Sequence, residues 1–130
     1  MILVDTHVVV WLALAPDRLS AKASATIVDA RENQDGLAIS DITLWELTTL
    51  FRKKRIHLAT SLESFLREVE DRFVVLPISV RACVRTLALP EAYPKDPADR
   101  VIGATALAEG LSLITADREI RRSKAVPTIW

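Results

Sequence analysis

Short continuous runs of apolar residues alternate along this chain with longer segments in which apolar positions recur every three or four residues. The short runs are residues 2–4, 37–39, 73–76 and 111–115, with a last one at 126–130. Apolar runs without polar alternation are typical of strands that are buried on both faces. The hydrophobic pattern therefore predicts short strands in a sheet that is covered by helices.

The longer segments are predicted as helices, because each begins at a capping residue or ends at Gly or Pro. They are residues 6–15, 20–33, 41–54, 62–71, 79–89 and 96–110, followed by a short helix after Asp117. Strands that alternate with helices indicate an α/β domain with a parallel sheet. At 130 residues, the chain is expected to form a single domain, residues 1–130.

The helix that begins at Ser79 carries Val80, Cys83, Val84 and Leu87 at spacings that share one face. Cys83 is the only cysteine, so no internal disulfide is possible, and a buried thiol in a reducing cytosol is expected. The chain has no basic leader and no apolar run of about 18 residues. We therefore expect a cytoplasmic protein without a signal peptide or a membrane-spanning helix.

The charge composition limits how this protein could bind a polyanion. Lys plus Arg and Asp plus Glu number 17 each, so the formal net charge is zero. This argues against binding nucleic acid through bulk positive charge, but it is compatible with local basic patches and with metal bridges to phosphate.

The basic and aromatic residues are predicted to have structural rather than RNA-binding roles. The cluster at residues 52–55 and the triple Arg118, Arg121 and Arg122 are interpreted as solvated surface, although the triple flanks Asp117 and is the better candidate for contacting phosphate. The three tryptophans are interpreted as core or interface residues rather than base-stacking surfaces. They are Trp11, Trp45 and Trp130.

Acidic residues follow the predicted strands, at the edge of a parallel sheet where ligands bind. Asp5, Asp41 and Asp117 come just after apolar runs, while Asp96 and Asp99 begin a helix. Most of these positions also suit helix caps, and an acid in the first turn complements the helix dipole. Asp41, Asp96, Asp99 and Asp117, each taken alone, therefore have a structural explanation.

Two acids are harder to explain structurally. Asp5 ends a strand that should be central, and buried aspartates are rare unless they are paired or bound to metal. Glu46 lies in a helix dense with apolar residues, so its charge needs a partner. Converging carboxylates raise one another's pKa, and a divalent cation relieves the repulsion. Oxygen ligands without His or Cys suit Mg²⁺ or Mn²⁺, either of which can activate water against a phosphodiester.

Four segments of the chain resemble PIN-domain ribonucleases, and most closely the VapC-type toxins of prokaryotic toxin–antitoxin pairs. They are ILVDTH at residues 2–7, ISDITLWEL at 39–47, DPADRVIGATAL at 96–107 and LITAD at 113–117. The segments occur in the family's order and at its spacing, and they span nearly the whole chain. The resemblance implies a PIN-like three-layer α/β/α fold with a central parallel sheet flanked by helices.

The resemblance also implies the site residues. Carried over position by position, the family's catalytic and metal-binding acids fall on Asp5, Glu46, Asp99 and Asp117. Asp96 is an auxiliary acid, ranked lower because its capping role is sufficient. Thr6 and Thr115 match hydroxyls that orient a carboxylate or a water. Asp41 is interpreted as a helix-start residue, and His7 is not carried over as a ligand.

The implied protein is an Mg²⁺- or Mn²⁺-dependent endoribonuclease that forms homodimers and is inhibited by a cognate antitoxin. Asp5, Glu46 and Asp99 would hold metal, and Asp117 would complete the site or bind a second ion. Two alternatives remain open. One is a non-catalytic RNA- or protein-binding module on the same fold, and the other is a metal-dependent DNA nuclease or phosphatase that uses the same acids.

Overall fold

All five strands of the sheet run in parallel in the computed structural model, which describes residues 1–130. The strands are β1 (Ile2–Val4), β2 (Leu37–Ser40), β3 (Val74–Leu76), β4 (Leu113–Ile114) and β5 (Thr128–Ile129). Their order in the sheet is β3-β2-β1-β4-β5. The first strand is therefore central: Leu3 is in register with Ala38 of β2 and with Leu113 of β4.

Helices cover both faces of this sheet. They are α1 (Thr6–Leu14), α2 (Ala21–Glu32), α3 (Asp41–Arg52), α4 (Leu62–Arg72), α5 (Val80–Arg85), α6 (Pro97–Glu109) and α7 (Arg118–Ser123), with 3-10 turns at Pro16–Arg18 and Thr86–Ala88. This architecture confirms the predicted three-layer α/β/α class and its parallel sheet. No helix combines the length and the apolar character that a membrane span requires.

Two apolar clusters, one on each face, hold the layers together. Val4 of the central strand packs with residues of the first four helices, including Val8, Ile27, Leu47 and Phe65. Leu3 belongs to the opposite cluster, whose helical members include Ile102, Ala106 and Ile120. The side chains of Leu3 and Val4 are both fully buried. Adjacent residues of a strand face opposite sides of the sheet, so β1 contributes to both layers and its end is fixed in the centre of the molecule.

Side-chain caps set the helix starts that the sequence predicted. Ser20 accepts a hydrogen bond from the backbone N–H of Ala23, and Ser79 accepts one from Ala82. Ser40 caps α3 through the N–H of Ile42, and Asp41 is the first helical residue, as interpreted from the sequence. Caps of this kind satisfy backbone donors that a helix leaves free, so they fix where each helix leaves the sheet.

The apolar face predicted for the helix after Ser79 is exposed rather than buried. Val80, Val84 and Leu87 are 81%, 61% and 87% exposed. The expectation of a buried thiol at Cys83 is also wrong, because this cysteine is exposed. The segment is instead anchored by Ala82, which is 1% exposed. Helical spacing shows which residues share a face, but it does not show whether that face packs inward.

Candidate active site

Asp5 lies at the carboxyl end of the central strand and is 2% exposed. Its Oδ1 accepts a hydrogen bond from the N–H of Thr6 at 2.9 Å, and its Oδ2 accepts one from the hydroxyl of Thr115 at 2.8 Å. The hydroxyl of Thr115 also accepts the N–H of Asp117 at 3.1 Å. The ends of β1 and β4 are thereby joined, and the Asp5 carboxylate has a fixed orientation.

Glu46 reaches the same edge of the sheet from α3. The hydroxyl of Thr6 donates to its Oε1 at 2.5 Å and lies 3.0 Å from the hydroxyl of Thr43. Because Thr6 has one hydroxyl proton, which it gives to Glu46, Thr43 is the donor in the second bond. Sequence reasoning missed Thr43, although its place three residues before Glu46 puts both side chains on one face of the helix.

The start of α6 contributes two more carboxylates. Asp96 caps the helix, its Oδ1 accepting the N–H groups of Ala98 and Asp99 at 3.0 and 3.2 Å. One carboxylate oxygen from each of Glu46, Asp96 and Asp99 lies within 4.8 Å of the others. Folding thus brings together groups that are some 50 positions apart in the sequence.

These acids lie in one open cleft of about 570 Å³. Asp5, Glu46, Asp96 and Asp99 all line it, and we call them the acidic cluster. Asp96, ranked below the other acids from the sequence, is therefore placed among them. Asp117 is not among the lining residues. Its Oδ1 caps α7 by accepting the N–H groups of Glu119 and Ile120.

No Lys or Arg of the protein forms an ion pair with the acidic cluster. Burial, and then the nearby charges of Asp5 and Asp96, raise the pKa of Glu46 against the opposing effect of its bond to Thr6. Burial and the surrounding acids, including Asp117, raise the pKa of Asp99 from 3.8 to about 7. The Lys and Arg ion pairs of the chain, Arg67–Glu63 and Arg72–Glu68, lie on α4.

His7 links the two strand ends without contributing to the acidic cluster. Its Nε2 accepts the N–H of Ala116 at 2.9 Å, and its Nδ1 lies 3.6 Å from Oδ2 of Asp5. With Nε2 acting as an acceptor, the neutral ring carries its proton on Nδ1, facing the carboxylate. The imidazole also packs edge-on against Trp11, with ring centroids 5.0 Å apart.

Tyr93, which sequence reasoning missed, holds the start of α6 in place. Its side chain is 1% exposed, and its hydroxyl donates to the backbone carbonyl of Asp99 at 2.8 Å. The ring passes so close to Gly103 that a Cβ there would overlap the Tyr93 hydroxyl and its ring carbons. The absence of a side chain at Gly103 therefore lets Tyr93 reach Asp99.

A Gly103→Ala variant should be less stable than the parent by about 1–3 kcal/mol, because the methyl group displaces the Tyr93 ring. Helix propensity alone predicts the opposite sign, a gain of about 0.5–1 kcal/mol for Ala over Gly. Urea denaturation of parent and variant distinguishes the two. A stabilised Gly103→Ala protein would show that the contact between Tyr93 and α6 does not constrain the site.

The whole chain is similar to known proteins of one family. Residues 2–125 match the family model described as PIN domain. A protein named Ribonuclease VapC22, from Mycobacterium tuberculosis, is 37% identical to this chain over 131 residues, which is 99% of this chain and 98% of that protein.

Solved structures share the fold. VapBC2 from Rickettsia felis, bound to a DNA fragment from their promoter, has a TM-score of 0.74 at 19% identity, covering 98% of this chain and 97% of that one. A toxin-antitoxin complex from Klebsiella pneumoniae has a TM-score of 0.64 at 25% identity, covering 97% and 95% of the two chains. The fold of this chain is therefore the one seen in those structures.

Proposed function

This chain belongs to the PIN domain family, and we propose that it is a metal-dependent endoribonuclease, the toxin of a VapBC-type toxin–antitoxin pair. The observation that carries the proposal is the convergence of Glu46, Asp96 and Asp99 to within 4.8 Å, in the same cleft as the buried Asp5. The similarity to a protein named as a ribonuclease supports RNA as the substrate.

The acidic cluster fits a hard divalent cation. All of its donors are carboxylate oxygens, and the neighbouring His7 has its ring nitrogens directed at Ala116 and Asp5. Burial and repulsion among the acids raise the pKa values of Glu46 and Asp99. This donor chemistry suits Mg²⁺ or Mn²⁺ rather than Zn²⁺. Asp5, Glu46 and Asp99 would hold the ion, with Asp96 as an auxiliary ligand and Asp117 completing the site. A bound ion would supply an activated water and neutralise charge on the phosphodiester.

The chain's own residues prepare this site before any ligand binds. Thr115 and the backbone of Thr6 fix the two oxygens of Asp5, and the Thr6 hydroxyl fixes Oε1 of Glu46. Oε2 of Glu46 keeps no hydrogen-bond partner within the protein, so it is available to a ligand. Carboxylates that are already oriented lose little conformational freedom on binding, which favours both affinity and geometry.

The proposal is tested by incubating the purified protein with RNA, single-stranded DNA or a small phosphate ester, each with EDTA, Mg²⁺ or Mn²⁺. We expect cleavage of RNA only, and only with metal. Cleavage of DNA or of the ester would favour the nuclease or phosphatase alternative. Intact RNA under every condition, without a metal-dependent rise in melting temperature, would favour the non-catalytic binding module.

We also propose an antitoxin partner, a cytoplasmic location and a single domain over residues 1–130. The antitoxin is supported by the fold shared with a structure described as a toxin-antitoxin complex. The single domain is supported by one sheet with an apolar cluster on each face: β1, β2 and β4 contribute fully buried residues to these clusters, and the edge strands β3 and β5 contribute partly buried ones.

Homodimerisation is proposed as well, and α5 together with the 3-10 turn that follows it offers the surface for it. Val80, Val84 and Leu87 form an exposed apolar strip, which a second copy could cover through a two-fold contact of the strip with itself. Leu87→Glu should then shift the protein towards monomer in analytical ultracentrifugation without lowering its melting temperature. Val28→Glu is the matched control, because Val28 is also apolar and 53% exposed but lies on α2. An unchanged dimer in Leu87→Glu would place the interface elsewhere.

A further inference from the structure

We propose that one side of the cleft binds single-stranded RNA through Trp45, Lys53 and Arg55, which we call the α3 wall. This inference rests on the proposed ribonuclease function, which it extends to the path of the substrate. All three residues line the same cleft as the acidic cluster. Trp45 and Glu46 both line this cleft, so a base stacked on the indole ring would lie near the carboxylates that would hold the metal.

Trp45 is 61% exposed, so it does not belong to the core, one of the two roles interpreted from the sequence. The residues that α3 buries are Thr43 and Leu47. The other two tryptophans, Trp11 and Trp130, are partly buried and pack against each other with their ring centroids 5.7 Å apart. An exposed indole face in a ligand cleft can stack on any base without hydrogen-bond readout, as aromatic side chains do in proteins that bind single strands.

Lys53 and Arg55 supply positive charge at the other end of the cleft. Both are exposed, and neither forms an ion pair within the protein. Lys53 is seven residues after Glu46, which corresponds to about 10 Å along the helix axis. The acidic cluster and the two cations therefore occupy separate parts of one continuous surface.

The end of α3 brings Arg55 to this surface. Lys54 has a left-handed conformation with φ 58°, and its N–H donates to the carbonyl of Phe51. The N–H of Arg55 donates to the carbonyl of Leu50 at 2.9 Å. This pair of bonds is the Schellman arrangement, which reverses the chain at a helix end. Arg55 consequently joins Lys53 in the cleft lining, whereas Arg52 and Lys54 are not among the lining residues.

The charge distribution favours RNA over an acidic protein segment as the occupant. An acidic peptide would be attracted to Lys53 and Arg55 but repelled by the acidic cluster. An RNA strand would place one phosphate near the acidic cluster, where a bound metal would offset the repulsion, and a neighbouring phosphate near the cations. With a formal net charge of zero, the protein has no bulk attraction for RNA, so local contacts of this kind must supply it.

The test measures binding of a fluorescein-labelled single-stranded oligouridine by anisotropy, in EDTA so that the RNA stays intact. Trp45→Ala should weaken binding about tenfold, and Trp45→Phe should recover most of it because a ring face is restored. Lys53→Ala should lower the slope of log Kd against the logarithm of the salt concentration by about the amount that the loss of one phosphate contact predicts. Arg52→Ala, a neighbouring cation outside the cleft lining, is the matched control and should change neither quantity.

Equal affinity of the parent and Trp45→Ala would overturn the α3 wall, as would equal effects of Lys53→Ala and Arg52→Ala. A change in the sedimentation coefficient of Trp45→Ala would assign Trp45 to a protein interface and would also overturn it. Cleavage of the same RNA in Mn²⁺ separates this inference from the proposed function. RNA bound through Trp45 but never cleaved would reject the nuclease while supporting the α3 wall.

Discussion

An Asp99→Asn variant should cleave RNA about 10²–10³-fold more slowly than the parent, the range found when one group that stabilises transition-state charge is removed. Asn has the same shape as Asp but carries no charge, so it is a poor ligand for Mg²⁺ or Mn²⁺. Cleavage rates in Mn²⁺ under single-turnover conditions measure the loss.

The stability of the same variant distinguishes lost chemistry from lost folding. Burial raises the pKa of Asp99, and so do the charges of the acids around it, which are Asp5, Asp96, Glu46 and Asp117. Removing its charge relieves that repulsion, so metal-free Asp99→Asn should melt at the parent's temperature or above it. Asp71→Asn, an exposed acid on α4, is the control and should affect neither property. A variant that cleaves like the parent would remove Asp99 from the site.

Without metal, the protein should become more stable as the pH falls from about 8 to about 5, roughly the range over which a carboxyl with a raised pKa takes up its proton. Burial and neighbouring acids raise the pKa of Asp99 from 3.8 to about 7, and they raise that of Glu46 as well. A raised folded-state pKa means that the native protein binds the proton more tightly than the unfolded chain. The stabilisation is therefore complete below the unfolded value and is lost as the pH rises through the folded one.

The size of this effect is reduced by solvent, because the Asp99 carboxyl is only partly buried. After allowance for screening, about 1–2 kcal/mol remains, or roughly 5 °C in melting temperature for a chain of this size. Calorimetry in EDTA and in Mn²⁺ measures it. Bound Mn²⁺ should raise the melting temperature most at pH 8 and abolish the gain on acidification. A metal-free melting temperature that falls steadily from pH 8 to pH 5 would contradict uncompensated acids in the cleft.

The order of elements was predictable from the sequence because each boundary has a local chemical signal. Ser20, Ser61 and Ser79 cap helices where expected, and Gly110 ends α6 in the left-handed conformation. The end of the central strand at Asp5 could also be predicted, since a carboxylate after a continuous apolar run stands at the edge of a parallel sheet.

Features that depend on the third dimension were not predictable. The exposure of Val80 and Trp45 depends on which helix face meets the sheet, and a periodic pattern does not specify that. The contact of Tyr93 with Gly103 joins a loop to a helix, and neither residue type indicates in the sequence that the two come close. Capping alone explains an acid at position 96 in the sequence. Asp96 does cap α6 through its Oδ1, but the residue also belongs to the acidic cluster.

We propose that the carboxylates brought together by folding bind a divalent cation. Anomalous diffraction from crystals soaked in MnCl₂ tests this binding most directly. We predict a manganese peak in the cleft at carboxylate oxygens of the acidic cluster, with Glu46 and Asp99 among the ligands. A fully soaked crystal with no peak at these oxygens, or with manganese bound only elsewhere, would contradict the account.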